Sequence, residues 1–246
     1  HSVVLGAIAQ ATSSMKISSS SSIISAADPV RVFEDFATLD LISRGRAELV
    51  AGRGSRTGLF ELFGLDINDY DALFEEKLDL LMQLNANDRI TWSGQFCPDL
   101  HNMKIFPRPV DDYLPIWRAV GGRPPSAIKA GKAGIPMMMT TLGGPAEVFK
   151  DAVDAYRQAG EDAGHDMSPE SMPLSTASLF YTAKTSQQAL DEYYPHLNVG
   201  MSFIRGAGYP KEQFNAATDE RDALMVGSPQ QIVEKILYQH ELYGHQ

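Results

Sequence analysis

The sequence predicts an α/β fold whose strands lie parallel in a sheet. Three observations carry this. Strand-like and helix-like segments alternate along most of the chain, as parallel strands require when helical crossovers join them. The apolar run at 135–142 shows no period-two alternation, which fits a strand covered on both faces. Small residues break the chain after three successive strands, at Gly52-Arg53-Gly54, Gly121-Gly122-Arg123 and Gly143-Gly144.

Taken in order, residues 1–11 read as a helix already under way, and 15–25, rich in Ile and Ser, as a strand. Asp28 is placed to cap a helix with Pro29 in its first position. Val30, Phe33, Ala37 and Leu41 follow at helical spacing until Ser43-Arg44-Gly45 stops the run. Residues 47–51 form a short strand. Asn68 is the expected cap of the next helix, with Tyr70, Leu73, Phe74, Leu78, Leu81 and Leu84 on one face. Residues 89–113 are irregular and read as an excursion. A strand at 115–120, a helix at 126–133 and the strand at 135–142 come next.

Gly143-Gly144-Pro145 then starts a helix carrying Val148, Ala152, Tyr156 and Ala159. Residues 174–183 read as a strand and 187–197 as a helix. An irregular insertion at 198–222 contains Gly200, Gly206 and Gly208. Ser228-Pro229-Gln230-Gln231 is a capping box that opens a last helix through Ile232, Ile236 and Leu237. Five strands are visible. A complete eight-stranded barrel has about the length of this chain, so the count implies that barrel strands lie outside the stretch. Alternation alone also fits an open doubly wound sheet.

Composition narrows the partners. With 21 basic and 31 acidic residues the net charge is −10, and no basic stripe interrupts it, which argues against nucleic acid and an anionic membrane surface. No apolar run reaches the length of a membrane span, and residues 1–11 lack the basic start of a signal peptide. The single cysteine, Cys97, excludes an internal disulfide and a cysteine-based zinc site, and suits a reducing cytoplasm. It reads as a small buried residue rather than a nucleophile. The six histidines show no metal-ligand spacing.

The chemistry is expected at the strand ends. Each glycine pair alone is ordinary turn chemistry, but three at equivalent positions let something flat approach the backbone. Amides at helix starts favour an anion, and Arg53 adds a charge-assisted donor. Together they suggest a planar cofactor carrying a phosphate. The serine run 18–22 is an ordinary small-residue strand unless it belongs to the same site. Phe60, Leu62, Phe63 and Met139 are candidate substrate-pocket residues that would equally suit a core.

At this point a family resemblance enters. Asp28-Pro29-Val30-Arg31, Glu34-Asp35, Leu39-Asp40, Ser43-Arg44-Gly45-Arg46 and Gly52-Arg53-Gly54 resemble the signature stretch of luciferase-like flavin monooxygenases. Phe63-Gly64-Leu65-Asp66, Gly134-Ile135-Pro136, Ala163-Gly164-His165-Asp166 and Val226-Gly227-Ser228-Pro229 continue it in order. The resemblance implies a TIM-type (β/α)8 barrel lacking its N-terminal β-α-β and last strand here. It implies one domain over 1–246, with insertions near 55–68, 89–113 and 198–222.

It further implies a cytoplasmic flavoprotein oxidoreductase that uses reduced FMN and O2 on a small organic substrate. A separate reductase would supply the flavin, and the chain would form a homodimer through helices near 3–13 and 29–43. An F420-dependent dehydrogenase of the same fold and a non-catalytic flavin-binding relative are the alternatives. By resemblance, Ser20 and Ser21 form a non-proline cis peptide beside the ring, Gly52 lies at its reactive edge and Arg53 near the phosphate. Gly121, Gly122, Arg123, Ser126 and Gly143 belong to loops that complete the site. The luciferases carry a second phosphate arginine where this chain has Asp71, so Arg123, or else Arg56, is the expected substitute. The family's catalytic histidine falls before His1, which is not its equivalent. The 198–222 insertion is the expected mobile cover.

Overall fold

A computed structural model describes residues 1–54 and 57–245; the expected contact Arg56 lies outside the described residues. The chain divides into two compact units, His1–Ala119 and Val120–Gln246.

In the first unit, α1 (Ser2–Ala11) leads into the serine run. The strand expected at 15–25 is two short ones, β1 (Ile17–Ser18) and β2 (Ser22–Ile23), with a cis bond between Ser20 and Ser21. The reason for the break is local. Ser19 Oγ lies 2.8 Å from Ser22 Oγ, which lies 3.0 Å from His1 Nε2, so these hydroxyls bond one another across the gap. Helix α2 (Pro29–Ser43) starts as its sequence dictates, Asp28 accepting from the Val30 and Arg31 amides. It ends on Arg44 at φ 62°. It buries Val32, Phe33, Phe36, Ala37 and Leu39.

The parallel strand β3 (Ala47–Gly52) follows, pairing Ile17 with Ala47 and Ser22 with Ala51. Two motif residues brace this turn. Buried Asp40 accepts from the Ala47 and Val110 amides at 3.2 and 2.9 Å. Arg46 donates to the carbonyls of Ser43, Ala9, Thr12 and Met15.

After α3 (Thr57–Leu62), the residue that caps is Asp66 rather than Asn68: its carboxylate accepts the Asn68 amide at 2.9 Å and starts a 3-10 turn. That turn runs into α4 (Tyr70–Ala86), whose apolar face Leu73, Phe74, Leu78, Leu81 and Leu84 is buried. The excursion at 89–113 contains an antiparallel hairpin, β4 (Arg89–Trp92) with β5 (Leu100–Lys104). Glu76 of α4 pins its turn by accepting the amides of Gln95, Phe96 and Cys97 at 2.8–3.0 Å. Strand β6 (Ile116–Val120) returns parallel to β3, with Leu49 opposite Ile116 and Ala51 opposite Arg118.

The second unit holds α5 (Pro124–Lys132) and β7 (Met137–Thr140). The helix expected from Gly143-Gly144-Pro145 begins as a 3-10 turn, Ala146–Phe149, and becomes α6 (Lys150–Asp162). The single strand expected at 174–183 is two: β8 (Leu174–Ala177) lies parallel to β7, while β9 (Phe180–Thr182) takes another partner.

The helix expected to stop at 197 runs on as α7 (Ser186–Arg205), with Pro195 inside it. Leu197 and Met201, one turn apart and buried, keep that face packed, which outweighs Gly200. The 198–222 segment is therefore largely helical, continuing with α8 (Lys211–Asn215). Strand β10 (Met225–Gly227), parallel to β9, is too short to show a period. In α9 (Pro229–Tyr243) the capping box is half formed: Ser228 accepts the Gln231 amide, but the Gln231 side chain donates to Thr218 O instead of returning. One apolar cluster of this unit surrounds Met137, Met139, Tyr156 and Leu174; a second surrounds Leu197, Tyr209, Phe214 and Val226. Among the described residues no helix is long and apolar enough to cross a membrane.

Candidate functional site

In the first unit the site is built where β3 ends. A Cβ added to Gly52 would overlap the Ser21 hydroxyl and lie 2.8 Å from its Cβ, so this glycine accommodates the serine run itself. Ser20 is exposed and Ser21 half-buried. Arg53 follows, its guanidinium 5.4 Å from the Tyr70 ring centre and 5.7 Å from that of Phe74. Its Nη1 donates to Asp71 Oδ1 at 2.8 Å. The Tyr70 hydroxyl donates to Gly54 O at 2.7 Å and so holds the loop behind it.

One helical turn along α4, Glu75 accepts both terminal nitrogens of Arg118 at 2.7 and 2.6 Å. Arg118 is 1% exposed, lies 5.0 Å from the Phe74 ring centre, and its Nε has no partner among the described residues. The sequence produces this ladder through helical spacing. Tyr70 and Phe74 share one face of α4, and Asp71 and Glu75 the next. On the strands, the register sets Ala51 opposite Arg118, and the guanidiniums of Arg53 and Arg118 both lie within 6 Å of the Phe74 ring centre.

In the second unit Gly121 and Gly143 border a cavity of about 230 Å³ with Thr140, Leu142, Phe149 and Tyr209. Gly122 faces Phe149, whose Cδ1 would lie 2.6 Å from an added Cβ, and the space at Gly143 is taken by the Tyr209 hydroxyl. That hydroxyl donates to Leu142 O at 3.0 Å. At Gly121 and Gly144 an added Cβ would meet nothing within 4 Å. Arg123 is exposed at the start of α5 without capping it, and Ser126 is buried in the first turn.

A second cavity, about 410 Å³, is bordered by Gly144, Glu147, Gln213, Asp219, Arg221 and Asp222. Asp222 accepts the amides of Gly144 and Leu224 at 3.1 and 2.8 Å, yet burial raises its pKa. Burial pushes the neighbouring Lys235 amine down to about 8. At the cavity's rim Arg221 hydrogen-bonds Asp219 and holds its carboxyl down to about 2.

Each unit thus brings part of the expected set together. Ser20, Ser21, Gly52 and Arg53 meet at the end of β3, while Gly121 and Gly143 share a cavity with Tyr209. The half-exposed Arg53 suits an anionic group, and the open backbone at Gly121 and Gly144 suits a flat one. Of the candidate pocket residues, Phe60 and Met139 are buried in the core, and Leu62 and Phe63 are exposed. Sequence reasoning missed Arg118, Glu75 and the pairing of Arg53 with Asp71. The spacing of 70, 71, 74 and 75 on α4 was a visible signal for the helix side only. Tyr209 had no signal, since its cavity brings it and Gln213 of α8 against residues 121–149, far away in the sequence.

Comparison with known proteins identifies the lineage. The family model described as luciferase-like monooxygenase matches residues 1–246. N-acetyl-S-alkylcysteine monooxygenase of Bacillus subtilis is 30% identical over 182 residues, 68% of this chain and 50% of that protein. The chain spans about half or less of the curated relatives it matches. Among solved structures, monooxygenase RslO1 of Streptomyces bottropensis superposes with a TM-score of 0.83 at 22% identity, over 99% of this chain and 72% of that one. An F420-dependent secondary alcohol dehydrogenase, solved with an F420–acetone adduct, gives 0.77 at 20% identity over 98% and 75%. The oxygenating constituent of 3,6-diketocamphane monooxygenase from Pseudomonas putida, solved with FMN, gives 0.70 at 17% over 99% and 75%. These likenesses show an α/β fold of the TIM-barrel type. On the whole-length match, the chain belongs to the luciferase-like monooxygenase family.

Proposed function

We propose that this chain is the flavin-binding part of a monooxygenase that uses reduced FMN and O2 to oxidise a small organic substrate, the reduced flavin coming from a separate reductase. The observation that carries the reading is Arg53, a half-exposed guanidinium at the end of β3 within 6 Å of two aromatic rings. Arg53 would bind the phosphate; Ser20, Ser21 and Gly52 would orient the ring; Gly121, Gly122, Arg123, Ser126 and Gly143 would complete the cofactor's surroundings. When bound, the flavin supplies the oxygen activation. The chain's own task is to position it and to exclude water, for which Tyr209 and the α7–α8 segment are suited.

A second reading, F420-dependent hydride transfer, is supported by the TM-score of 0.77 to the F420-dependent dehydrogenase. Titration with FMN, reduced FMN and F420 separates them. The first reading expects FMN to bind and Arg53→Ala to weaken it. Binding of F420 alone favours the second, and binding of neither defeats both. The exposed Val3, Val4 and Ile8 of α1 and Leu41 and Ile42 of α2 support a homodimer through these helices.

A further inference from the structure

We propose that Asp71 is a specificity residue: its carboxylate occupies the anion position at Arg53 and sets the chain against a strong phosphate contact there. The inference rests on the flavin reading for its ligand, and makes the phosphate a minor contributor to flavin affinity. Arg53 meets Asp71 at 2.8 Å, with side chains 23% and 63% exposed, so the pair faces solvent from the Asp71 side. A phosphate carrying about −1.5 to −2 charge at neutral pH must approach the same guanidinium beside that carboxylate. Like charges a few ångström apart repel, and the repulsion grows where protein excludes water.

Among the described residues of the first unit, the neighbouring groups give no relief. The other guanidinium near Phe74, Arg118, is fully buried and holds Glu75 through both terminal nitrogens, so it offers no substitute donor to an incoming anion. Asp71 and Glu75 are one turn apart on α4, and the two arginines hold these like charges in place. A flavin without the phosphate avoids the conflict and loses little by lacking it.

The test is Asp71→Asn, with Asp69→Asn as control. Asp69 removes the same charge from the same helix start but makes no side-chain cap. FMN and riboflavin are titrated against each chain, and protection against heat by inorganic phosphate alone is measured in parallel. The FMN-to-riboflavin affinity ratio should be below about threefold in the parent chain. It should rise at least tenfold in Asp71→Asn but not in Asp69→Asn, with the protecting phosphate concentration falling likewise. An unchanged ratio, or an equal rise in both variants, overturns the proposal while leaving flavin binding intact. If no chain binds flavin, the flavin reading fails and the phosphate arm alone decides: protection gained only in Asp71→Asn supports the carboxylate's role, and none refutes it. Asp71→Ser repeats the test should the asparagine variant misfold.

Discussion

In the first unit Lys77 of α4 donates to Ser25 O and Ala27 O, both at 2.8 Å; in the second, Lys235 of α9 donates to Asp222 O at 3.2 Å and Leu224 O at 2.7 Å. Both amines tie a helix to the loop beside a short strand, and both are buried. Burial lowers both pKa values, opposed at Lys77 by Cys97, Asp28 and Glu76 and at Lys235 by Asp222 and Asp219. Only Lys235 is driven as far as about 8. The difference extends to the loops. The first unit meets the buried guanidinium of Arg118 with a carboxylate, whereas the second fills its strand-end spaces with aromatic side chains over glycines. One loop is held by charge pairing, the other by packing and backbone geometry.

The largest effect that separates them belongs to the glycines. Gly143 has φ +121° and its Cβ position is occupied by the Tyr209 hydroxyl. Gly143→Ala should therefore cost about 2–4 kcal/mol, from the strained backbone and the displaced hydrogen bond to Leu142 O. Gly52→Ala meets Ser21 without a left-handed backbone and should cost about 1–2 kcal/mol, while Gly121→Ala, facing open space, should stay within about 0.5 kcal/mol. Urea denaturation of the three variants reads the order directly. Equal costs at 143 and 52 would erase the distinction between the loops.

Next is pH. The native Lys235 amine, at about 8, sheds its proton before the unfolded one near 10.5, so between these values the unfolded chain binds more protons. Stability should rise as pH is raised from about 8 to 10, by about 1–2 kcal/mol, and the penalty is constant below 8. Burial raises the pKa of the neighbouring Asp222 as well. Lys235→Met should flatten the rise, even if its overall stability differs; a slope retained in the variant would place the titrating group elsewhere.

How much of this was legible follows from the range of each signal. The Asp28 cap, Pro29 and the helix stop at Arg44-Gly45 are local, and were read correctly. Asp40 and Arg46, both within the 28–54 stretch that carries the family resemblance, brace the α2–β3 turn through hydrogen bonds up to 70 residues apart. The cis bond at Ser20-Ser21 was expected from the resemblance alone, while the pairing of the Ser19 and Ser22 hydroxyls that flank it has no signal in composition. The cap moved from Asn68 to Asp66 because either residue can start a turn, and the backbone decides. Arg53 was visible as a cation after a strand, but its state depends on Asp71, 18 residues on. Strand β10 and the Tyr209 cavity rest on contacts that have no local period.

The smallest effect on stability, though not on rate, concerns Cys97, and it checks whether the first unit's charges act at a buried group. Burial pushes this thiol up to about 11, with Glu76 and Asp28 adding to the rise and Lys77 opposing it. An ordinary cysteine near 8.5 is substantially thiolate at pH 8, so native Cys97 should hold about two orders of magnitude less thiolate. Iodoacetamide at pH 8 should label it at least a hundredfold more slowly in the folded chain than in urea. Glu76→Gln weakens the acceptor of the Gln95, Phe96 and Cys97 amides, and should speed labelling by loosening that turn. Rapid labelling of the parent chain would mean that the hairpin opens readily and that the Glu76 carboxylate does not hold it, leaving the Arg118–Glu75 pair as the first unit's charge-held element.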